Sequence, residues 1–451
     1  MRFPTVLALA LAAAPVFAQE PSPPAPASSI SAISPISDTA PVSLTLRDAL
    51  QRALAANPAL GRSRAEVAAA QAQEDVTFSG ILPRVAIQSN YTRNDQEVAF
   101  GSGDDARTIL PANDYSYRLT FSQPIYAGNR ERKAIQQSRL AVESARQGLL
   151  GAQDQIVVNV VSNYLGVVEA EELLAVEQRN LELARRRREQ AQIFFDAGET
   201  TRVDVLRAES AIKAAERRLA SARQTREAAV GRLRLDLALD SPIQVQDPGD
   251  LFPQLPAEAA LMAEAERGRP EVAQFQAALT SAQLEVAKQR GAYLPLVTAD
   301  GSWINQKSAF PSDQYGQVSI RMSIPIYSSG ELKGRIAVAR ERERQAALRV
   351  EEVRRAVREE VHQALVDMQT AEASLQLSRE QLAASEAEYQ QATELYRAQE
   401  LTSLEAEAAE TSLAEARRVV AASKLDRDLA ELRVWAAAGL LDQTIPLEGA
   451  R

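Results

Sequence analysis

Cysteine is absent from all 451 residues. Disulfides, thiolate metal sites and acylation on an N-terminal cysteine are therefore excluded. Histidine occurs once, at His362 in a long helical pattern, where packing or surface exposure is the ordinary role. Carboxylates are abundant, but none stands in a recognisable acid–base pair or metal-ligand spacing. No enzyme activity, metal or cofactor is therefore expected. After residue 18 no stretch approaches the roughly 18 consecutive apolar residues of a membrane-spanning helix. The formal net charge of −9 argues against nucleic acid as a partner. Proline is missing from residues 125–241 and again from 326–445.

What is present begins with Arg2, an apolar run over 6–14 and a small-x-small site ending at Ala18. This pattern predicts a secretory signal peptide over 1–18; the competing reading is a membrane anchor, against which the apolar run is short. Residues 19–43 are rich in Pro, Ser and Ala without periodicity and predict a disordered leader. From Leu44 onward Ala, Glu, Arg, Leu and Gln dominate with helical periodicity, the mixture of long helices or coiled coil. Arginine interleaved with glutamate reads as solvated helix faces.

The mature chain is internally duplicated. Pro58 and Pro83 recur as Pro270 and Pro295, 212 residues on, and Pro124 recurs as Pro325 after 201. The difference of 11 residues lies between Pro83 and Pro124, so the first unit carries a longer loop there. The predicted units are 44–241 and 259–440, joined by a linker over 242–258 and followed by a tail over 441–451. Pro and Gly in the linker and tail exclude continuous helix, and both segments suit a girdle beside the helices at mid-length.

Each unit reads helix, strand, loop, strand, very long helix, break, long helix. The strands fall at about 84–94, 115–124, 296–305 and 315–324, with period-two alternation over about ten residues each. Leu119 and Phe121 alternate with Ser116, Arg118 and Thr120; Val318 and Ile320 alternate with Ser319 and Arg321. Residues 297–303 alternate least clearly, because Ala299 and Gly301 share the apolar face. Tyr91, Tyr115, Tyr126, Trp303 and Tyr327 suit an interfacial aromatic belt. Two readings stand: transmembrane β-strands, or two hairpins on a soluble core. The four prolines at 83, 124, 295 and 325 mark strand ends.

Val350, Val353, Val357, Val361, Ala364, Met368, Ala371 and Leu375 step by three or four residues, the narrow apolar seam of a coiled coil. A helix from about residue 129 to 196 is on the order of 100 Å long. Such seams require lateral pairing into a bundle or tube. Both long helices break alike. Gly198 is suited to a left-handed helix end, Thr201 to an N-cap and Asp204 to its capping box; Gln399, Thr402 and Glu405 stand 201 residues later. Helix capping alone accounts for these residues locally.

The segments LRDALQRALAANPAL, GILPRV, FSQPIYAGNRER and AGETTRVDVLRAE, each with a partner in the other half, resemble the TolC-like outer membrane efflux protein family from Leu44 to the C-terminus. The resemblance implies an α+β membrane protein of long helical hairpins. It implies a homotrimer in which each protomer gives four strands to one twelve-stranded barrel in the outer-membrane lipid. Below it run an α-helical tunnel, an equatorial girdle and a gated periplasmic tip. It implies export through a tripartite pump or type I secretion system, with a periplasmic adaptor and an inner-membrane transporter as partners. The tip residues carried over are Gly198, Thr201, Asp204, Gln399, Thr402, Glu405 and Glu407. Glu405 is the first choice for an acidic ring, ahead of Asp204 and Glu407. Ala408 and Gln399 depart from the family pattern. The alternative is a soluble periplasmic adaptor or scaffold. Adaptors have one helical hairpin between compact β domains, whereas this chain has two duplicated helical pairs and four isolated strands.

Overall fold

The structure, a computed structural model, describes residues 42–101, 107–249, 251–308, 312–398 and 400–444. The signal peptide, Gln399, residues 445–451 of the tail and all but the last residues of the leader lie outside that set.

The duplication is reproduced element by element. Helix α1 (Leu46–Ala56) matches α5 (Glu258–Gly268), and α2 (Pro58–Phe78) matches α6 (Pro270–Arg290). The long helices α3 (Arg130–Asp196) and α7 (Glu331–Arg397) each have 67 residues. They are followed by α4 (Arg202–Asp236) and α8 (Ser403–Ala438). Pro58 and Pro270 occupy first helical turns, where a missing N–H is harmless. Strand passes to long helix through two consecutive left-handed residues, Gly128–Asn129 in one unit and Ser329–Gly330 in the other. Gly128 is required for a second reason: a Cβ there would lie 2.1 Å from the Gly291 carbonyl oxygen. This contact joins the start of α3 to the end of α6.

Strands β2 (Arg84–Arg93), β5 (Asn113–Ala127), β7 (Leu296–Gln306) and β8 (Gln314–Ser323) form one antiparallel sheet in that order. The register sorts the side chains by face. Val85 pairs with Phe121, Phe121 with Gly301 and Gly301 with Val318; the next row on that face is Ile87, Leu119, Trp303 and Gly316. The weak alternation of 297–303 is thereby explained, since Phe121 lies over the place where Gly301 lacks a side chain, 3.8 Å from its Cβ position. The opposite face carries Gln88, Arg118, Thr120, Ser122, Asp300 and Arg321. Tyr91 and Tyr115 pair at one end of the sheet, and Tyr126 and Tyr327 lie toward the other. Pro124 corrects one expectation. It lies inside β5, opposite Thr298, where a register shift before Tyr126 accommodates the missing N–H, whereas Pro325 follows the end of β8. The longer loop of the first unit holds a hairpin, β3 (Val98–Phe100) with β4 (Arg107–Leu110).

At mid-length β1 (Val42–Leu44) pairs in parallel with β6 (Ile243–Val245) of the linker. Strand β1 thus takes in Val42 and Ser43, inside the segment expected to be leader, because pairing with β6 satisfies their backbone. Tyr164, half-way along α3 and fully buried, lies with its hydroxyl 2.7 Å from the Gln246 carbonyl and accepts from the Gln246 N–H at 3.1 Å. The main apolar core surrounds this belt and includes Leu50, Leu60, Val161, Leu233, Val361 and Leu432. Short helix α9 (Leu441–Thr444) follows Gly439, which is left-handed. Below the belt the apolar clusters lie within one hairpin, between α3 and α4: Leu181, Ala184, Ala215 and Leu219, then Ala191, Val205 and Ala208.

Candidate functional site: the paired helical turns

The two long hairpins turn side by side. After α3, Gly198 is left-handed at φ 77°, its N–H bonds Phe195 O, and the Glu199 N–H bonds Phe194 O at 2.8 Å. That pair of bonds is a Schellman closure. After α7 the Glu400 N–H bonds Leu395 O at 2.9 Å, the same closing bond. Both following helices begin with reciprocal capping boxes, Thr201 with Asp204 and Thr402 with Glu405.

The two acidic residues of these boxes are in different surroundings. Asp204 accepts from Thr200 Oγ1 at 2.7 Å, from Thr201 Oγ1 at 2.8 Å and, across the gap between the turns, from Ser403 Oγ. The Ser403 bond, then those from Thr200 and Thr201, hold its carboxyl far below the usual carboxylate range against the opposing effect of burial. Asp204 is therefore a bridge between hairpins. Glu405 is exposed; it accepts from Thr402 Oγ1 at 2.7 Å and from the Thr402 N–H at 3.0 Å. Those bonds lower its pKa.

Behind the turns Arg187 extends from α3 to α8. Its guanidinium lies 3.2 Å from Glu410 and 3.7 Å from Glu407, and it also donates to the Ser403 carbonyl. Burial pushes the Glu410 carboxyl up, with Arg187 opposing. Phe194 meets Tyr396 edge-on, ring centroids 5.6 Å apart. Further from the turns the seam continues with Arg418 donating to buried Glu177 and with Lys424 3.9 Å from Glu172. Glu407, expected beside Glu405, is thus turned toward Arg187. Arg187, Ser403, Tyr396 and Glu410 carry no local sequence signal. Arg187 stands in a run of four arginines that reads as a solvated face.

The remaining chemistry is sparse. His362, half-exposed on α7, has Nδ1 3.2 Å from Glu258 on α5. Among the described residues no helix is long and apolar enough to cross a membrane, and no acidic or histidine cluster has metal-binding geometry.

Thus the chain pairs a two-faced sheet of membrane-strand length with two equal helical hairpins of on the order of 100 Å. The sequence profile of the outer membrane efflux protein family matches residues 49–238 and 261–440, the two repeats. The chain belongs to this family. It is similar to the outer membrane efflux protein BepC of Brucella suis, 24% identical over 367 residues, 77% of this chain and 75% of that protein. The alkaline protease secretion protein AprF of Pseudomonas aeruginosa is 27% identical over 64% of this chain and 62% of its own length. Its fold is similar to that of CusC in a crystal structure, with TM-score 0.78, 19% identity and coverage of 90% of this chain and 95% of that one. An outer membrane efflux protein of this kind is a channel and not an enzyme. It lies in the outer membrane and extends into the periplasm. Members of the family form trimers and work with other components in tripartite pumps or secretion systems. Family membership removes the soluble adaptor as an alternative.

Proposed function

We propose that three copies of this chain form the exit duct of a tripartite pump or type I secretion assembly, meeting a periplasmic adaptor at the paired turns and an inner-membrane transporter through it. The observation that carries the reading is the four-stranded sheet with β2 and β8 as its outer strands. In hydrocarbon each unpaired backbone group costs several kcal/mol, so both outer edges require strands from other copies. Three copies supply twelve strands, above the minimum of about eight for a membrane barrel.

On this reading the turns around Gly198 and Thr402 form the periplasmic mouth, because two hairpins of equal length in one wall end level. Glu405, exposed on its first turn, is the residue available to an acidic ring, and Asp204 and Glu407 act as ties within the wall. The groove between the turns is lined by Phe194, Thr200, Arg207, Leu401 and Leu404 and offers the adaptor both apolar and charged contacts. Analytical ultracentrifugation of the detergent-solubilised protein is expected to give three copies; a stable membrane-spanning monomer would overturn the proposal. In planar bilayers Glu405→Gln is expected to reduce cation preference or block by multivalent cations. Unchanged selectivity with only a lower melting temperature would limit Glu405 to capping its helix.

A further inference from the structure

The chain as a whole is acidic, yet the polar face of its sheet is not. That face carries Arg84, Arg118 and Arg321 against two acids, Asp300 and, at the far end of the sheet, Asp114. Asp300 is held by hydroxyls, accepting from Ser122 at 2.8 Å and from Thr298 at 3.1 Å. Arg118 stands between Gln88 and Ile304 in the register, with no acidic neighbour on either side. The opposite face carries no charge in these rows, so the arginines are confined to the side away from lipid.

We infer that Arg118, supported by Arg84 and Arg321, makes the exit barrel an anion-preferring collar, favouring anionic solutes at the last stage of passage. Three arginines against two aspartates leave one positive charge per protomer, and threefold repetition surrounds the pore with this excess. The wall is one sheet thick and backed by hydrocarbon, which focuses the field into the lumen. This inference rests on the channel reading and concerns the barrel end alone; the acidic mouth at the turns is a separate filter in series.

The test uses the full-length trimer with tripolyphosphate, a compact polyanion, as probe. In planar bilayers tripolyphosphate added on the barrel side is expected to block at lower concentration than when added on the turn side. The double variant Arg118→Gln, Arg321→Gln is expected to weaken that block severalfold and to move the reversal potential in a KCl gradient toward the cation side. Asp300→Asn is expected to move both in the opposite direction. Equal block from the two sides, or block unchanged in the arginine variants, would overturn the collar. Titration calorimetry of tripolyphosphate on the detergent-solubilised trimer at low salt reads the collar without current. Severalfold weaker binding in the double variant supports it, and equal binding overturns it. Absence of conductance in every variant would count against the channel reading, with the calorimetry still deciding the collar.

Discussion

Arg187 on α3 and Glu410 on α8 lie 3.2 Å apart, both largely buried, and join the two hairpins near their turns, beside the Phe194–Tyr396 contact. The contact belongs to a ladder on the same two helices, with Glu177 facing Arg418 and Glu172 facing Lys424. Truncating one member of a buried hydrogen-bonded ion pair costs about 2–5 kcal/mol. Arg187→Ala should therefore loosen the turns and raise the open probability of single channels while trimers still assemble. Glu410→Gln, which keeps a hydrogen-bond acceptor, should have the smaller effect. Equal open probability in the wild type and both variants would remove the ladder from gating.

Ser403 provides the bond that crosses between the turns to Asp204. Ser403→Ala should cost about 1 kcal/mol and raise the Asp204 pKa. The sign follows from the depressed carboxyl: its contribution to stability is complete above the ordinary Asp range and is lost as pH falls below that range. Loosening of the turns by acid should begin at higher pH in the variant, measured by hydrogen exchange of the Val203–Leu206 amides.

Glu285 on α6 provides a second acid-sensitive tie. Burial pushes its carboxyl up, but bonds from Lys288, Gln289 and, on α3, Gln137 outweigh burial and bring it down to about 2. The stabilisation is present above the ordinary Glu value of 4.5 and disappears as pH falls toward about 2. Glu285→Gln should flatten the decline in melting temperature across that interval; an unaltered slope would show that other groups control it.

The two faces of the sheet should differ in tolerance. Leu119 stands between Ile87 and Trp303 on the apolar face. Leu119→Arg or Ile320→Arg should cost roughly 2–4 kcal/mol near mid-membrane and reduce insertion. Ser116→Arg and Ser319→Arg, on the polar face, should permit assembly. Similar trimer yields in outer-membrane fractions for all four would mean the faces are reversed or both are wet.

Tyr164→Phe tests the mid-length belt. It removes the group that engages the Gln246 backbone. Losing the hydroxyl's bonds to the Gln246 and Leu44 carbonyls should cost about 1 kcal/mol each. Faster proteolysis of the linker around Gln246 than in the wild type is the expected readout.

Much of this architecture is written in local periodicity. Period-two alternation located all four strands of the sheet and assigned Leu119 and Ser116 to opposite faces. The proline-free spans marked two helices of equal length, and Gly198 with Thr201 marked the turn within the first hairpin. These features depend on neighbours within a few residues, where backbone geometry fixes which side chains share a face. Even here Pro124 was misplaced, because a bulge can hold a proline inside a strand whose partner tolerates a register shift.

The contacts across the wall were not written there. Nothing in the spacing relates Arg187 to Glu410, Asp204 to Ser403, or β5 to its neighbour β7 across the repeat boundary. These partners lie about 170–220 residues apart and meet only because the two repeats pack side by side in one wall. The sequence determined the repeats, their faces and their turns, since each is a local consequence of residue order. Tertiary packing decided that Asp204 is a tie and Glu405 an exposed cap, since burial and charge pairing depend on which surfaces meet.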